Sequence, residues 1–308
     1  MQPPFDIVAP WQWQLVAGVF GALWGSFANV VIVRWPREMS VVRPGSHCLA
    51  CGAPIRFYDN VPVLSYLVLR GRCRDCKARF SPRYALVELA MALLAVSVAR
   101  LTLLAEPASF QQAAAEFFVW FAFVFALVTM AMIDLDCYLI PDAIALPGIA
   151  VGIAANAFVL PLDWMEPLAA AAAGYLLVRL VFIEGYKLLT GRPGMGEGDA
   201  KLLAMIGAFA GFQGAVFALF AGALQGIVAG TIIVVLRRRA HEPEPVFEEE
   251  LGEGGAAPER PVRFRKARVP FGPFLALGAL EHFFFGDVLI DKWLTVAQSL
   301  GALIQGGN

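Results

Sequence analysis

Two stretches place acids inside otherwise apolar chain. MAMIDLDCYLIPDAIALPG (130–148) holds Asp134, Asp136 and Asp142. GRPGMGEGDAKLLAMIGAFAG (191–211) holds Asp199 behind Gly194, Gly196 and Gly198, with Lys201 two residues on. Ionisable groups at membrane depth are costly and usually mark function. Two carboxylates sharing one site do not both ionise readily, so one keeps a proton. Such a pair can hydrolyse a peptide bond: one carboxylate activates water and the other donates a proton to the carbonyl. Asp134 directly follows an apolar run and is expected on a helix, whereas Asp136, two residues on, faces elsewhere. Asp142 follows Pro141 and reads as a helix cap. The glycines lack Cβ atoms, so the backbone there can turn tightly and a substrate strand can approach it. Lys201 either biases the acids or snorkels to the interface.

A second constellation is CLAC at 48–51 with CRDC at 73–76, a C-x2-C-x21-C-x2-C spacing. Two such knuckles can bring four thiolates around one Zn2+ tetrahedrally, although the gap slightly exceeds the usual range of about 15–20 residues. Cys48, Cys51, Cys73 and Cys76 are therefore the expected ligands of a structural zinc, because all four are Cys and no open position is suggested. Four free thiols, or a redox role for either pair, are the alternatives. Cys137 has no partner nearby and reads as a small apolar filler.

The elements that position these residues follow from composition. The 308-residue chain is 59% hydrophobic and 16% charged, against roughly 25% charged in soluble domains. With a mean hydropathy of +0.66, it reads as an all-α integral membrane protein. MQPPFDIVAP lacks a basic region, so the first apolar run is expected to be kept as a membrane helix. A helix crosses a bilayer core with about 20 apolar residues. Runs of that order lie at about 13–34, 84–104, 113–133, 143–161, 167–189, 214–236 and 271–290, with a shorter one at about 200–212. That predicts eight crossings. Segment 35–83 has nine Lys or Arg and three acids, a net +6 that places it in the cytosol. Alternating crossings then bring Asp134 and Asp199 to the same, cytosolic side. The expected organisation is a first membrane helix (1–34), a cytosolic zinc-binding lobe (35–83), a membrane-embedded aspartic peptidase domain (84–290) containing a polar linker (240–269), and an interfacial tail (291–308).

These residues resemble the bifunctional type IV prepilin peptidases and N-methyltransferases, relatives of the GxGD aspartic proteases. The likeness rests on GSFANVVIVRWP (25–36), the two cysteine pairs, LRGRCRDC (69–76), RYALVELA (83–90), MIDLDCYLIPD (132–142), GMGEGDAKL (194–202) and PFGPFLALG (270–278). It departs from the family pattern in Ala28, where a larger apolar residue is common, and in a longer linker. The resemblance implies that Asp134 and Asp199 are catalytic, and that prepilins or pseudopilins are cut after a glycine at the cytosolic face of a bacterial inner membrane. It further implies that the new N-terminus is methylated from S-adenosylmethionine, with segment 35–83 involved. The expected partners are these protein substrates and the lipid bilayer, with no nucleic acid. The methyl donor's site, the oligomeric state and the particular pilin stay open.

Overall fold

In lipid, every backbone amide and carbonyl has to be paired within the protein, so apolar runs of crossing length fold as helices. The computed structural model describes residues 9–104, 109–240 and 269–305 and is all-helical. Its helices are α1 (Pro10–Arg34), α2 (Leu64–Leu69), α3 (Arg83–Thr102), α4 (Phe110–Cys137), α5 (Asp142–Phe158), α6 (Met165–Leu176), α7 (Tyr186–Thr190), α8 (Glu197–Ala240) and α9 (Gly272–Gln305). A π-helical stretch, Leu177–Gly185, joins α6 to α7. Among the described residues, five segments are long and apolar enough to cross a membrane: Pro10–Arg37, Arg83–Thr102, Phe110–Cys137, Met165–Thr190 and Glu197–Ile233. Asp142–Phe158 is a shorter apolar helix. The protein is thus a multi-pass membrane protein.

Two ends run differently from the reading of the sequence. The run expected at 113–133 is longer, because Ser109 Oγ caps it by accepting the Gln112 amide at 3.2 Å, and Tyr138, in the left-handed region at φ 54°, ends it. The stretch 291–308 expected as a tail continues α9 without a break as far as Gln305. The expected linker falls, from 241 to 268, outside the described residues.

The expected division between 200–212 and 214–236 lies inside α8, at Gly211 (φ 64°, ψ −166°). The chain reverses there. Before it, Gly207 packs on Ala170 and Gly211 on Glu166, so this half runs antiparallel to α6. After it, Gly214 meets His282, Gly278 meets Ala218, and Gly222 meets Phe274 and Leu275, so the second half runs antiparallel to α9. Phe209 and Phe283 both lie against Trp120, with ring centroids 6.3 and 4.4 Å away, which puts the two outer ends at one level of α4. Asn156 Nδ2 donates to the Ala208 and Phe209 carbonyls at 3.0 and 3.3 Å, pairing carbonyls that the turn leaves exposed. The main core fills the space beneath, with Phe123, Leu127, Met130, Leu202, Leu203, Met205 and Ile206 at most 1% exposed.

The N-terminal pair crosses closely. A Cβ on Gly25 of α1 would lie 2.7 Å from Glu88 Cα of α3, so only glycine permits this approach. Asn29 Nδ2 donates to Tyr84 O at 2.9 Å across the same contact.

Gly211 gives a direct check on the reversal. Its φ and ψ fall in a region open essentially to glycine alone, and a Cβ would lie 2.6 Å from Glu166 Oε1. Gly211→Ala should destabilise the protein by at least about 1–3 kcal/mol. Unfolding in detergent, followed by circular dichroism, measures it, and a wild-type midpoint would contradict the reversal.

Candidate functional site

Asp134 and Asp199 come from separate helices and are both buried, at 6% and 8% exposure. Asp134 sits in the last turn of α4, where the Tyr138 amide closes on its carbonyl at 2.9 Å. Asp199 sits in the first turn of α8. Ile140 links the two places: it fills the space beside Gly198, the residue before Asp199, and also meets Gly272, which packs on Asp134 Oδ2. Both acids thus come to the same end of the helices, on either side of Ile140.

The segment leading to Asp199 folds back along the helix before it. Gly191, at φ 77°, makes the turn, and the Gly194 amide then donates to Phe182 O at 3.0 Å. Arg179, on the π-helical stretch, pairs with Glu197 as well as with Glu184, the latter at 3.0 Å. Residues 191–194 and Gly196 nevertheless stay exposed, and Met195 is half-buried. The Gly196 amide donates to Asp199 Oδ2 at 3.1 Å and orients that carboxylate. Gly194, Gly196 and Gly198 do not carry the tight turn expected of them, since none has a positive φ. Gly194 and Gly198 supply room: a Cβ on Gly198 would lie 2.8 Å from Ile140 Cβ, and one on Gly194 would lie 2.9 Å from Phe182 O.

A third element reaches the site. Gly272, at the start of α9, packs its backbone against the Asp134 carboxylate. A Cβ there would lie 2.5 Å from Asp134 Oδ2. Reading the residues for chemistry missed this contact, because a backbone group of a glycine makes it. The signal was present in PFGPFLALG, which the family likeness had already picked out.

The neighbouring charges are held elsewhere. Asp136 accepts from Arg83 at 2.6 Å, and the same guanidinium donates to Met132 O at 3.2 Å. Asp142 is paired with Lys201 at 2.6 Å, so Lys201 ties α8 to α5 rather than reaching Asp199. Cys137 is exposed.

The lobe between α1 and α3 is built from two matching knuckles. The Cys48 amide donates to Ala53 O at 2.9 Å and the Gly52 amide to Cys48 O at 2.8 Å. In the second, Cys73 N–H donates to Ala78 O at 2.8 Å and Lys77 N–H to Cys73 O at 3.1 Å. Antiparallel bridges His47–Pro54 and Arg72–Arg79 close them. Arg34, itself buried, donates to the Ser40 and Gly45 carbonyls at 3.1 and 3.2 Å and anchors the lobe to the end of α1.

The sulfurs of Cys48, Cys51, Cys73 and Cys76 lie within 4.8 Å of one another, and Cys48 and Cys76 are 3.8 Å apart. Zn–S bonds of about 2.3 Å in a tetrahedron separate sulfurs by about 3.8 Å. The cluster therefore has the ligand type and spacing to hold such a metal ion. The Cys51 and Ala50 amides hold the Cys48 thiol down, to about 6. Cys51 accepts from the Ala53 amide, yet hydrogen bonds with Cys76 and Cys48 push it up, to about 12. One sulfur ionises easily and its neighbour resists. A bound cation is what allows such neighbours to be thiolates together.

Comparison with known proteins agrees with this layout. The model for the bacterial peptidase A24 N-terminal domain matches residues 19–101, and that for the type IV leader peptidase family matches residues 121–231. The chain is 34% identical over 294 residues to a prepilin leader peptidase/N-methyltransferase of Pseudomonas putida, covering 88% of this chain and 90% of the relative. A protein of the same description from Pseudomonas aeruginosa is 34% identical, covering 96% and 99% of the two chains. One from Myxococcus xanthus is 33% identical, covering 92% and 94%. No solved structure matches.

The cysteine cluster predicts close to one bound zinc per chain in protein purified without chelators. Cys48→Ser and Cys73→Ser should each release most of it and loosen the lobe to proteolysis. Elemental analysis decides, and less than about a tenth of an equivalent in the wild type would exclude the site.

Proposed function

Because the chain belongs to the type IV leader peptidase family, we propose that it is an intramembrane aspartic endopeptidase whose catalytic pair is Asp134 and Asp199. The observation that carries this reading is the burial of two carboxylates from α4 and α8 at one site. The chain is an enzyme of prepilin processing, and its substrates on this reading are type IV prepilins or pseudopilins. Cleavage follows a glycine of the leader at the cytosolic face of a bacterial inner membrane. The net positive lobe supports that orientation. Eight crossings fit the helices if the reversal at Gly211 divides α8 into two. Residues 1–34, 35–83 and 84–290 then form the first membrane helix, a zinc-holding lobe and the peptidase domain. The stretch 291–305, as the continuation of α9, forms the interfacial tail.

The chemistry needs water, a base and an acid. One carboxylate of the pair takes a proton from water while the oxygen bonds to the scissile carbonyl carbon. The other gives its proton to the carbonyl oxygen. Collapse of the tetrahedral intermediate breaks the C–N bond, and the leaving amine takes up the remaining proton. The Gly196 amide and the close packing of Gly272 hold the two carboxylates in place through these transfers. Of Gly194, Gly196 and Gly198, the middle one has open surroundings and leaves the backbone beside Asp199 accessible to an extended substrate, while the other two let this segment pack against Phe182 and Ile140. The relatives' second activity, N-methyltransferase, extends to this chain in the same proposal. S-adenosylmethionine supplies the methyl group that the new N-terminal amine receives.

Asp134→Asn and Asp199→Asn should each abolish prepilin cleavage in membranes while insertion stays normal. The double variant should be no worse, because the residues act as a unit. Asp136→Asn should retain substantial activity, since Arg83 holds that side chain away. Asp199→Asn should still methylate a pre-cleaved pilin. Cleavage by the wild type should trace a bell against pH. Processing by Asp134→Asn alongside a dead Asp136→Asn would overturn the assignment.

Gly272 gives a separate test. Gly272→Ala forces a methyl against Asp134 Oδ2 and should lower cleavage by at least about ten-fold, since a displacement of about 1 Å at a reacting group is that costly. Methylation of a pre-cleaved pilin by this variant is the control for folding.

A further inference from the structure

The lobe carries more positive charge than its own acids neutralise. Residues 35–83 hold nine Lys or Arg and three acids. Asp59 is committed to Arg74, whose Nε–H donates to it at 2.7 Å and holds its carboxyl below the usual range. Asp75 lies 3.8 Å from Arg56. Arg70, Arg72 and Arg79 make no side-chain hydrogen bond or ion pair among the described residues.

These three guanidinium groups are also brought together. Arg72 and Arg79 are the two residues of the antiparallel bridge that closes the second knuckle. Directly opposed residues of an antiparallel pair project to the same face, where like charges are unfavourable. Arg70 precedes Arg72 by two residues. All three line one cleft of about 460 Å³, together with Ser81 and the edge-to-face pair Tyr66 and Phe80, whose centroids are 5.5 Å apart. Clustered guanidinium groups are the donor set for a phosphate oxyanion, and an anion between Arg72 and Arg79 relieves their repulsion.

The position of the cleft indicates where the phosphate comes from. Ser81 and Pro82 run directly into Arg83, the first residue of a membrane helix. The Val63 amide, at the entry to α2, donates to Glu88 Oε2 in the second turn of that helix at 2.7 Å. α2 is therefore pinned at the membrane surface. It buries none of its residues and leaves Leu64, Leu67 and Val68 exposed at 59%, 64% and 75%. An apolar face beside a basic cluster is the pattern of a segment lying in the headgroup layer of an anionic leaflet.

We propose that Arg70, Arg72 and Arg79 bind the phosphate of an anionic phospholipid from the leaflet on the lobe's side, with the apolar face of α2 lying among the adjoining acyl chains. The lobe is then a lipid-reading surface as well as a metal site. This does not depend on the peptidase chemistry.

Thermal unfolding of the full-length protein in uncharged detergent tests it, with phosphatidylglycerol, phosphatidylcholine or inorganic phosphate added. A ligand that binds only the folded state raises the midpoint in a saturable way. Phosphatidylglycerol should raise it by about 3 °C or more, and the other two by less than about 1 °C. Arg72→Gln/Arg79→Gln should keep wild-type helical content by circular dichroism and lose most of that rise. Leu67→Glu should lose it as well. Equal stabilisation by phosphatidylcholine, reproduction of the effect by inorganic phosphate, or an undiminished response in the double variant would each overturn the proposal.

Discussion

Two buried carboxylates brought to neighbouring helix ends are the constraint that the surrounding elements serve. Among the described residues, neither acid has an arginine or lysine on it. A backbone amide, that of Gly196, meets Asp199 instead, and the Gly272 backbone packs against the Asp134 carboxylate. An amide stabilises a carboxylate without fixing its protonation state as a full positive charge would, so both acids stay available for proton transfer. The cations nearby are each bound to another acid: Arg83 to Asp136, Lys201 to Asp142, and Arg179 to Glu184 and Glu197.

That arrangement explains where close approach is required. The start of α9 touches Asp134 only because residue 272 has no side chain, and Asp199 enters beside Ile140 only because residue 198 has none. The loop between α7 and α8 descends along the π-helical stretch instead of spreading outward. The reversal at Gly211 then returns the chain so that α9 pairs with the second half of α8 and starts at the level of Asp134. Helix ends from four parts of the sequence thus converge on one small volume.

Much of this was legible before any fold was known. The apolar runs marked the helices, and the positions of Asp134 and Asp199 after and before such runs placed both at helix ends on one side. The paired spacing of Cys48, Cys51, Cys73 and Cys76 marked a ligand set, and their sulfurs do converge. What escaped was whatever depends on helix register across a packed contact. Lys201 and Asp142 are 59 residues apart and meet only because of how α5 and α8 lie together. Gly272 lies far along the chain from Asp134, and glycine advertises no chemistry. The roles of the loop glycines were misjudged for a related reason. Sequence shows that a Cβ is missing, but only packing shows whether the backbone needed the freedom or a neighbour needed the space.

The outer half of the peptidase unit has a consequence for the cell's energy supply. Between the acids and the far membrane face lie Phe123, Leu127, Met205 and Ile206, with Trp120, Phe209 and Phe283 stacked beyond them and Asn156 pairing the carbonyls at the turn. On the proposed role of the acids, hydrolysis admits water to them from the near face, and they pass protons. A continuous file of water through the protein would short-circuit the ion gradient that drives transport and ATP synthesis. On that reading the closely packed aromatic layer makes the site a blind well rather than a conduit, so bond cleavage and an energised membrane can coexist.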